Sequence, residues 1–494
     1  MSSEQTKKHV VVVGGGNAGF CAALSAAEKG ARVTLLERAP FARSGGNTAF
    51  TAGAMRVAYE GVDDILSLVP DLSDELREVT DFGRYDESAF FDDLARVTKY
   101  RADPDLAQTL VSRSLPTLQW MRSQGVRFIP IYGRQAFKVE GRYTFWGGLT
   151  IEAVGGGQGL MEFLVKAAKN AGVTVRYDTR AIDLKTGPNG VRGVAVRSGW
   201  QDETIDCDAV VLAAGGFQAN TEWRTRYLGP GWDLARVRGS SYNTGDGIRM
   251  ALDIGASPAG NWSGCHAVQW DLNAPEFGDL AVGDGFQKHS YPWGVVFNAE
   301  GKRFIDEGAD FRNYTYAMYG RRVLEQPNQV AWQVFDGKVQ HLLRDEYHIK
   351  EATRVTANSL EELAKKLDGI DVDAFLREAK AYNAAVDQSV PFDPNVKDGR
   401  SATGLDVPKS NWANTLDTAP FSAYAVTCGV TYTFGGLRID QQARVLDTGL
   451  EPIPGLFAAG ELVGGLFYFN YPGGSGLTNG AVFGRMAGAG AAAA

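Results

Sequence analysis

Four consecutive valines, Val10 to Val13, run straight into Gly14-Gly15-Gly16-Asn17-Ala18-Gly19. A stretch with no polar residue predicts a strand buried on both faces, as in a parallel sheet. Gly14, Gly16 and Gly19 stand at G-x-G-x-x-G spacing. Phe20 to Lys29 then reads as an Ala-rich helix, Gly30 as its stop, and Ala31 to Leu36 as a second strand ending at Glu37. In such a unit Gly14 makes the tight turn, Gly16 lets backbone approach a pyrophosphate, and Gly19 permits close helix–strand packing. The helix N-terminus offers free N–H groups to phosphates, and Glu37 is placed to accept ribose hydroxyls. A lone glycine fingerprint is weak. Strand, helix, second strand and terminal acid in the right order point to a bound dinucleotide.

The 494 residues exceed one ordinary core, so two domains are expected. A formal net charge of −8 argues against nucleic acid and anionic membrane surfaces as partners, though not against an anionic small molecule met by a local arginine cluster. Cys21, Cys207, Cys265 and Cys428 are far apart with no C-x-x-C, which argues against an iron–sulfur or zinc site of the chain's own and for a reducing compartment. Met1 to Lys8 is polar and short, and no apolar run is long enough to span a bilayer. The expectation is a cytoplasmic protein, not an integral membrane one.

Along the chain, Arg43 to Thr48 and Thr51 to Ala54 are dense in small residues, which predicts a backbone that a large ligand approaches closely. Asp64 to Leu68, Glu87 to Lys99 and Leu106 to Ser123 carry helical periodicity. Phe128 to Tyr132 and Ala136 to Trp146 read as a basic hairpin. Leu160 to Ala171 reads as a helix, Val173 to Tyr177 and Val191 to Arg197 as strands, and Asp208 to Phe217 as a buried strand ending in glycines. This alternation marks an α/β domain. Between about 260 and 432 aromatics are frequent, buried β-runs read as fewer, and Ser359 to Val386 reads as a helical pair broken at Gly369. The expectation is a domain of residues 1–260 and 433–494 interrupted by an inserted one, 261–432. The tail from Ala489 reads as frayed.

A second small-residue strand end followed by an acid, Leu456 to Glu461, separates a flavin enzyme from a nicotinamide one, which needs a single such unit. Glu461 would take the ribitol hydroxyls. The closing loop Tyr471-Pro472-Gly473-Gly474-Ser475-Gly476 would aim a helix N-terminus at the flavin ring.

Together with Ser44-Gly45-Gly46-Asn47, Ala213 to Phe217, Gly245-Asp246-Gly247 and Gly301 to Glu307, these motifs resemble the fumarate reductase/succinate dehydrogenase flavoprotein family over nearly the whole chain. Gly264 to Asp271, Asp310 to Tyr314 and Asn470 to Gly476 are most similar to its tricarballylate dehydrogenase branch. The resemblance implies a Rossmann-like, glutathione-reductase-type FAD domain with an inserted α+β capping domain and substrate held between them. It places FAD against Gly14, Gly16, Asn17, Ala18, Gly19, Glu37 and Arg38, and against Ser44, Gly45, Gly46, Asn47, Thr48, Ala52 and Gly53. Further along it adds Ala181, Ala214, Gly215, Gly216, Asp246, Gly460, Glu461, Ser475, Gly476, Leu477 and Thr478. Residues 38–54 contain no histidine, so non-covalent FAD is expected. An iron–sulfur, cytochrome or quinone acceptor is implied as a separate partner.

The resemblance assigns proton transfer to Arg312 and carboxylate binding to His266. Arg312 as a simple clamp is the alternative. Three positions depart from the family. Its second substrate histidine falls at Tyr432, its second carboxylate-binding arginine at Tyr471, and its Glu–Arg proton relay near Gln287 and Ser290, where Lys288 or His289 would have to substitute. Tyr471-Pro472-Gly473 resembles instead the matching loop of 3-ketosteroid dehydrogenases, in which a tyrosine polarises a ketone and a second tyrosine, here Tyr314 by position, lies nearby. Two substrates therefore compete. One is a tricarballylate-like polycarboxylate held by Arg312, His266 and the basic residues Arg134, Lys138 or Arg142. The other is a cyclic ketone or keto acid held by Tyr471 and Tyr432. The basic hairpin tips the balance to the polycarboxylate. A non-catalytic flavin electron carrier is the alternative outside enzymology.

Overall fold

The computed structural model describes residues 7–494, so the expectation for Met1 to Thr6 lies outside the described residues. The opening unit forms as its pattern predicts: β1 (His9–Val13), α1 (Asn17–Glu28) and β2 (Arg32–Leu36). The helix starts three residues before Phe20, directly on the glycine turn, with no side-chain cap; Thr48 Oγ1 accepts from the Asn17 N–H at 3.1 Å. β1 is buried along its whole length and runs parallel to both β2 and Ala209–Leu212. The full sheet has the order Arg444–Leu446, Pro452–Ala458, Ala209–Leu212, β1, β2, Thr174–Arg176, with only the first edge strand antiparallel. At the turn, Gly14 has φ +110°, and a Cβ there would strike the Ala213 carbonyl. A Cβ on Gly19 would strike the Gly14 carbonyl, so α1 sits on the strand end only because residue 19 has no side chain.

The last helix, Ser475–Ala493, packs along α1 by the same device. Gly484 faces the Ala18 carbonyl and Gly488 faces the Ala22 carbonyl, both too close for a Cβ, and Asn17 Nδ2 donates to the Leu477 carbonyl at 2.8 Å. The tail therefore stays helical to Ala493, with Ala491 buried, where composition alone predicts fraying. Glycine and alanine here make a helix–helix contact, not a loose end. That contact sets the two helix N-termini side by side.

The segment from 258 to 437 corrects the impression of few buried strands. It contains the strands Pro258–Asp271 and Phe421–Leu437, antiparallel to each other, with Ala331–Phe335 and Arg354–Ala357 also pairing the latter. Phe421–Leu437 is buried almost throughout, so it shows no alternation in sequence. Both long strands pass unbroken through 260/261 and 432/433. The ladder shifts register between Asn261 and Cys265 and again after His266, and between these shifts His266 lies opposite Tyr432. Bulges of this kind re-aim side chains beside functional sites. The helical pair forms as Leu360–Ala364 and Val372–Ala385.

The hairpin expected over 128–146 is different. Phe128–Pro130 pairs with Ile151–Ala153, Tyr132–Gln135 is a helical turn, and only Lys138–Val139 and Arg142–Thr144 form a short hairpin. Among the described residues no helix is long and apolar enough to cross a membrane.

Candidate active site

One cavity of about 1620 Å³, its mouth included, opens at the C-terminal end of β1 and extends to the long antiparallel ladder. Its lining reaches from the glycine turn to the ladder, so the cavity has two distinct ends.

Its β1 end is lined by Gly14, Gly16, Asn17, Ala18, Glu37, Arg38, Gly46, Asn47, Thr48, Ala52, Ala181, Ala214, Gly215 and Asp246, and further in by Gly460, Glu461, Gly476 and Leu477. Glu37 accepts from the Gly15 and Ala39 N–H groups at 2.9 and 2.7 Å, and burial raises its pKa. Arg38 donates to Thr244 Oγ1 and to Asp246, and Arg180 grips both Asp246 oxygens. Glu461 accepts from the Thr433 N–H at 2.8 Å and from Gln218 Nε2 at 3.3 Å; burial pushes its pKa up to about 7. Asn47 ties this end to the ladder, donating to the Thr431 carbonyl and accepting from the Ser240 N–H.

The other expected cofactor residues support the wall from behind. Gly19 packs on Gly14, Gly53 on Gly156, Gly45 near Met161, and Gly216 lies against Thr433 and Glu461. Thr478 Oγ1 donates to the Arg56 carbonyl, and Ser44 turns outward to the Phe41 carbonyl. Ser475 is buried with its hydroxyl unpartnered.

The far end brings together His266, Tyr432, Tyr471, Arg312, Arg134, Gln287 and His289, with Tyr316, Asn313, Arg238 and Asp284. The Tyr316 and Tyr471 hydroxyls are hydrogen-bonded at 2.9 Å. The His266 ring packs edge-on to Tyr316 and against Tyr471, with centroids 4.8 and 4.6 Å away. Tyr432 lies nearly parallel to Tyr471 and accepts from Asn479 Nδ2 at 3.0 Å. Burial raises the pKa of all three phenols and holds His266 well below the ordinary histidine range.

Arg312 donates to the Arg134 carbonyl at 3.0 Å and to His289 Nδ1 at 3.2 Å, and burial lowers its pKa. Asp284 takes up Arg238 through one oxygen and Arg134 through the other. Of the five cavity arginines, only Arg312 lacks a carboxylate partner among the described residues.

Three sequence expectations are corrected here. Tyr314 points away from the cavity, its hydroxyl bonded to Asp93 and the Gly147 carbonyl beside the buried Arg56. A 3₁₀ turn over Arg312–Tyr314 precedes the helix Tyr316–Leu324, and this brings Tyr316 beside Arg312 instead. Lys138 and Arg142 are exposed on the short hairpin, outside the cavity wall. Lys288 cannot serve Arg312, because it is sequestered against Asp271 and the Glu346 carbonyl; His289 makes the contact. Tyr316 was missed, although its four-residue spacing from Arg312 is a helical one. Gln218 and the Arg238–Asp284 pair carry no signal in the sequence.

Two helix N-termini without an acidic residue in the first turn open on this cavity, each beside a buried acid. That arrangement fits a protein that holds a dinucleotide cofactor. Residues 9–477 match the model of the FAD binding domain family. The chain is 30% identical to a probable fumarate reductase of Shewanella frigidimarina over 504 residues, covering 99% of this chain and 75% of that protein. It is 26% identical to the 3-oxosteroid 1-dehydrogenase of Mycolicibacterium smegmatis, covering 97% and 96%. It superimposes on the open conformation of a flavocytochrome c3 fumarate reductase with a TM-score of 0.72 at 27% identity, over all of this chain and 79% of the other. The chain belongs to the FAD-binding fumarate reductase/succinate dehydrogenase flavoprotein family. It is a FAD-dependent oxidoreductase acting on carbon–carbon bonds.

The residues present fit the cofactor. A Cβ on Gly16 or Gly46 would meet nothing closer than 3.5 Å, so the space above both is open. Gln218 Oε1, next to the cavity residue Glu461, and Ser475 Oγ, between the cavity residues Gly474 and Gly476, are buried polar atoms without partners.

Proposed function

We propose that this chain holds FAD non-covalently and uses it to introduce a C=C bond next to the carbonyl of a small cyclic keto acid, of which 4-oxocyclohexanecarboxylate is the simplest example. The observation that carries the proposal is the polarity of the far end. A single arginine without a carboxylate partner, Arg312, shares this end with a hydrogen-bonded phenol pair, Tyr316–Tyr471, so an anion donor and hydroxyl donors serve one bound molecule. A tricarballylate-like substrate needs two or three free cations. Arg134 and Arg238 are neutralised by Asp284, Lys138 and Arg142 lie outside, and positions 432 and 471 are phenols. The ketone in the name of the 3-oxosteroid 1-dehydrogenase relative agrees with this preference.

When bound, FAD supplies the acceptor for the hydride leaving the β-carbon. The chain does the rest. Arg312 uses two of its five N–H donors on protein atoms and keeps three for a carboxylate. With Tyr316 as the donor within the pair, the Tyr471 hydroxyl is left to donate to the keto oxygen. Such a chain strengthens its last donor, and it stabilises the enolate-like charge that develops as the α-proton passes to the neutral imidazole of His266 beside Tyr471. The stacked Tyr432 and the neutral His266 keep water from this oxygen. Reoxidation falls to a separate quinone, iron–sulfur or cytochrome partner, since all four cysteines are buried and unpaired.

The test uses 4-hydroxybenzoate, a planar acid with an enol-type oxygen opposite its carboxylate, as a dead-end ligand read by perturbation of the flavin spectrum. Tyr471→Phe and Arg312→Gln are each expected to weaken its binding about 10-fold or more, the effect of losing a hydrogen bond to a charged or developing-charge group. If tricarballylate binds more tightly than this ligand and neither variant changes the order, the keto-acid assignment is wrong.

A further inference from the structure

Arg312 is a donor only; a guanidinium has no lone pair to offer. Its Nη1 lies 3.2 Å from His289 Nδ1, so Nδ1 must be the acceptor and the ring proton of a neutral His289 must sit on Nε2. That Nε2 is buried and has no hydrogen-bond partner, while the residue lines the cavity. Arg312 Nε is likewise buried and unpartnered in the same wall. Tyr316 holds the ring from one side, edge-on with centroids 4.9 Å apart.

We infer that His289 is a substrate-binding residue: its Nε2–H, fixed as a donor by Arg312, is the second half of an anion subsite and takes the carboxylate oxygen that Arg312 does not. This rests on the proposed role of Arg312 as the carboxylate anchor. It assigns His289 to binding in place of the proton-relay role that sequence register suggests. Burial and the neighbouring arginines hold the imidazole well below its ordinary pKa, which keeps the ring a neutral donor across the physiological range.

A comparison of two ligands on the FAD-loaded protein tests this, with dissociation constants read from the flavin difference spectrum. The ligands are the dead-end acid 4-hydroxybenzoate and phenol, the second lacking only the carboxylate. His289→Asn keeps an acceptor near Nδ1 and removes the Nε2 donor, whereas His289→Gln keeps a donor near Nε2. The expected pattern is an acid bound about 10-fold or more weakly by His289→Asn, with substantial recovery in His289→Gln and unchanged phenol binding in both. Equal weakening of both ligands, or no weakening of the acid, overturns the inference. Arg312→Gln separates the two levels. If it does not weaken the acid selectively, the anchor itself is wrong; if it does and His289→Asn does not, only the histidine's role falls. Ring ¹⁵N shifts of histidine-labelled protein, assigned with His289→Asn, give a readout independent of binding. The Nε2–H tautomer is expected, and an Nδ1–H tautomer overturns the inference.

Discussion

Glu461 turns the account of the cofactor end into a titration. Its carboxyl is buried and its pKa stands at about 7 against an ordinary 4.5. The folded protein without cofactor therefore holds this proton where an unfolded chain has released it. This contribution to its stability is full below pH 4.5 and is lost as pH rises to about 7. Hydroxyl donors from a bound ribitol favour the ionised form and return the pKa toward 4.5. Binding then releases a proton, and FAD affinity must climb with pH between 4.5 and 7 and flatten above. The difference of 7 − 4.5, at 1.36 kcal/mol per unit, is about 3 kcal/mol, or about 300-fold across the full window. The assay is fluorescence titration of cofactor-stripped protein with FAD from pH 5 to 8, with proton release followed by an indicator dye. Glu461→Gln should remove most of the slope; Glu37, also raised by burial, keeps a remainder. An affinity independent of pH below 7, or the same slope in Glu461→Gln, refutes the placement of Glu461 on the cofactor.

Tyr471→Phe should lower kcat for a keto acid about 100-fold, the scale of losing one donor to a developing oxyanion, while the flavin stays bound; turnover within a factor of a few of wild type would contradict its role. Tyr314→Phe should instead leave KM and kcat nearly unchanged and destabilise the fold by about 1–3 kcal/mol, since its hydroxyl serves Asp93 and the Gly147 carbonyl; a thermal or urea melt reads it. Gly19→Ala puts a methyl into the Gly14 carbonyl and should give protein that purifies without yellow colour, measured as the flavin-to-protein absorbance ratio.

The cofactor half was legible in sequence because its determinants are local. Gly14, Gly16 and Gly19 act through backbone geometry within one turn, and Glu37 follows at the end of the next strand. The substrate half depends on register and long-range pairing. His266 meets Tyr432 only because two shifts in the ladder let residues 166 positions apart lie opposite each other. Tyr316, four residues after Arg312, lies beside it, whereas Tyr314, two residues after it, turns to Asp93 and the Gly147 carbonyl, partners far away in sequence. The hairpin over 134–142 misled in the same way. Its charge is visible in sequence, whereas the helical turn at Tyr132–Gln135 that sends Arg134 inward and leaves Lys138 and Arg142 outside is set by the strand pairing of Phe128–Pro130 with Ile151–Ala153. The tail was misjudged because glycine and alanine signal looseness until a partner helix is in place.

The central claim is that an anion anchor and a ketone-holding phenol pair select one substrate class for the flavin. Anaerobic addition of 4-oxocyclohexanecarboxylate, tricarballylate and succinate to separate samples of the oxidised protein tests it most directly. Bleaching of the flavin absorbance by the keto acid alone is the result expected. Bleaching by tricarballylate or succinate with the keto acid inert, or by none of the three, would contradict it.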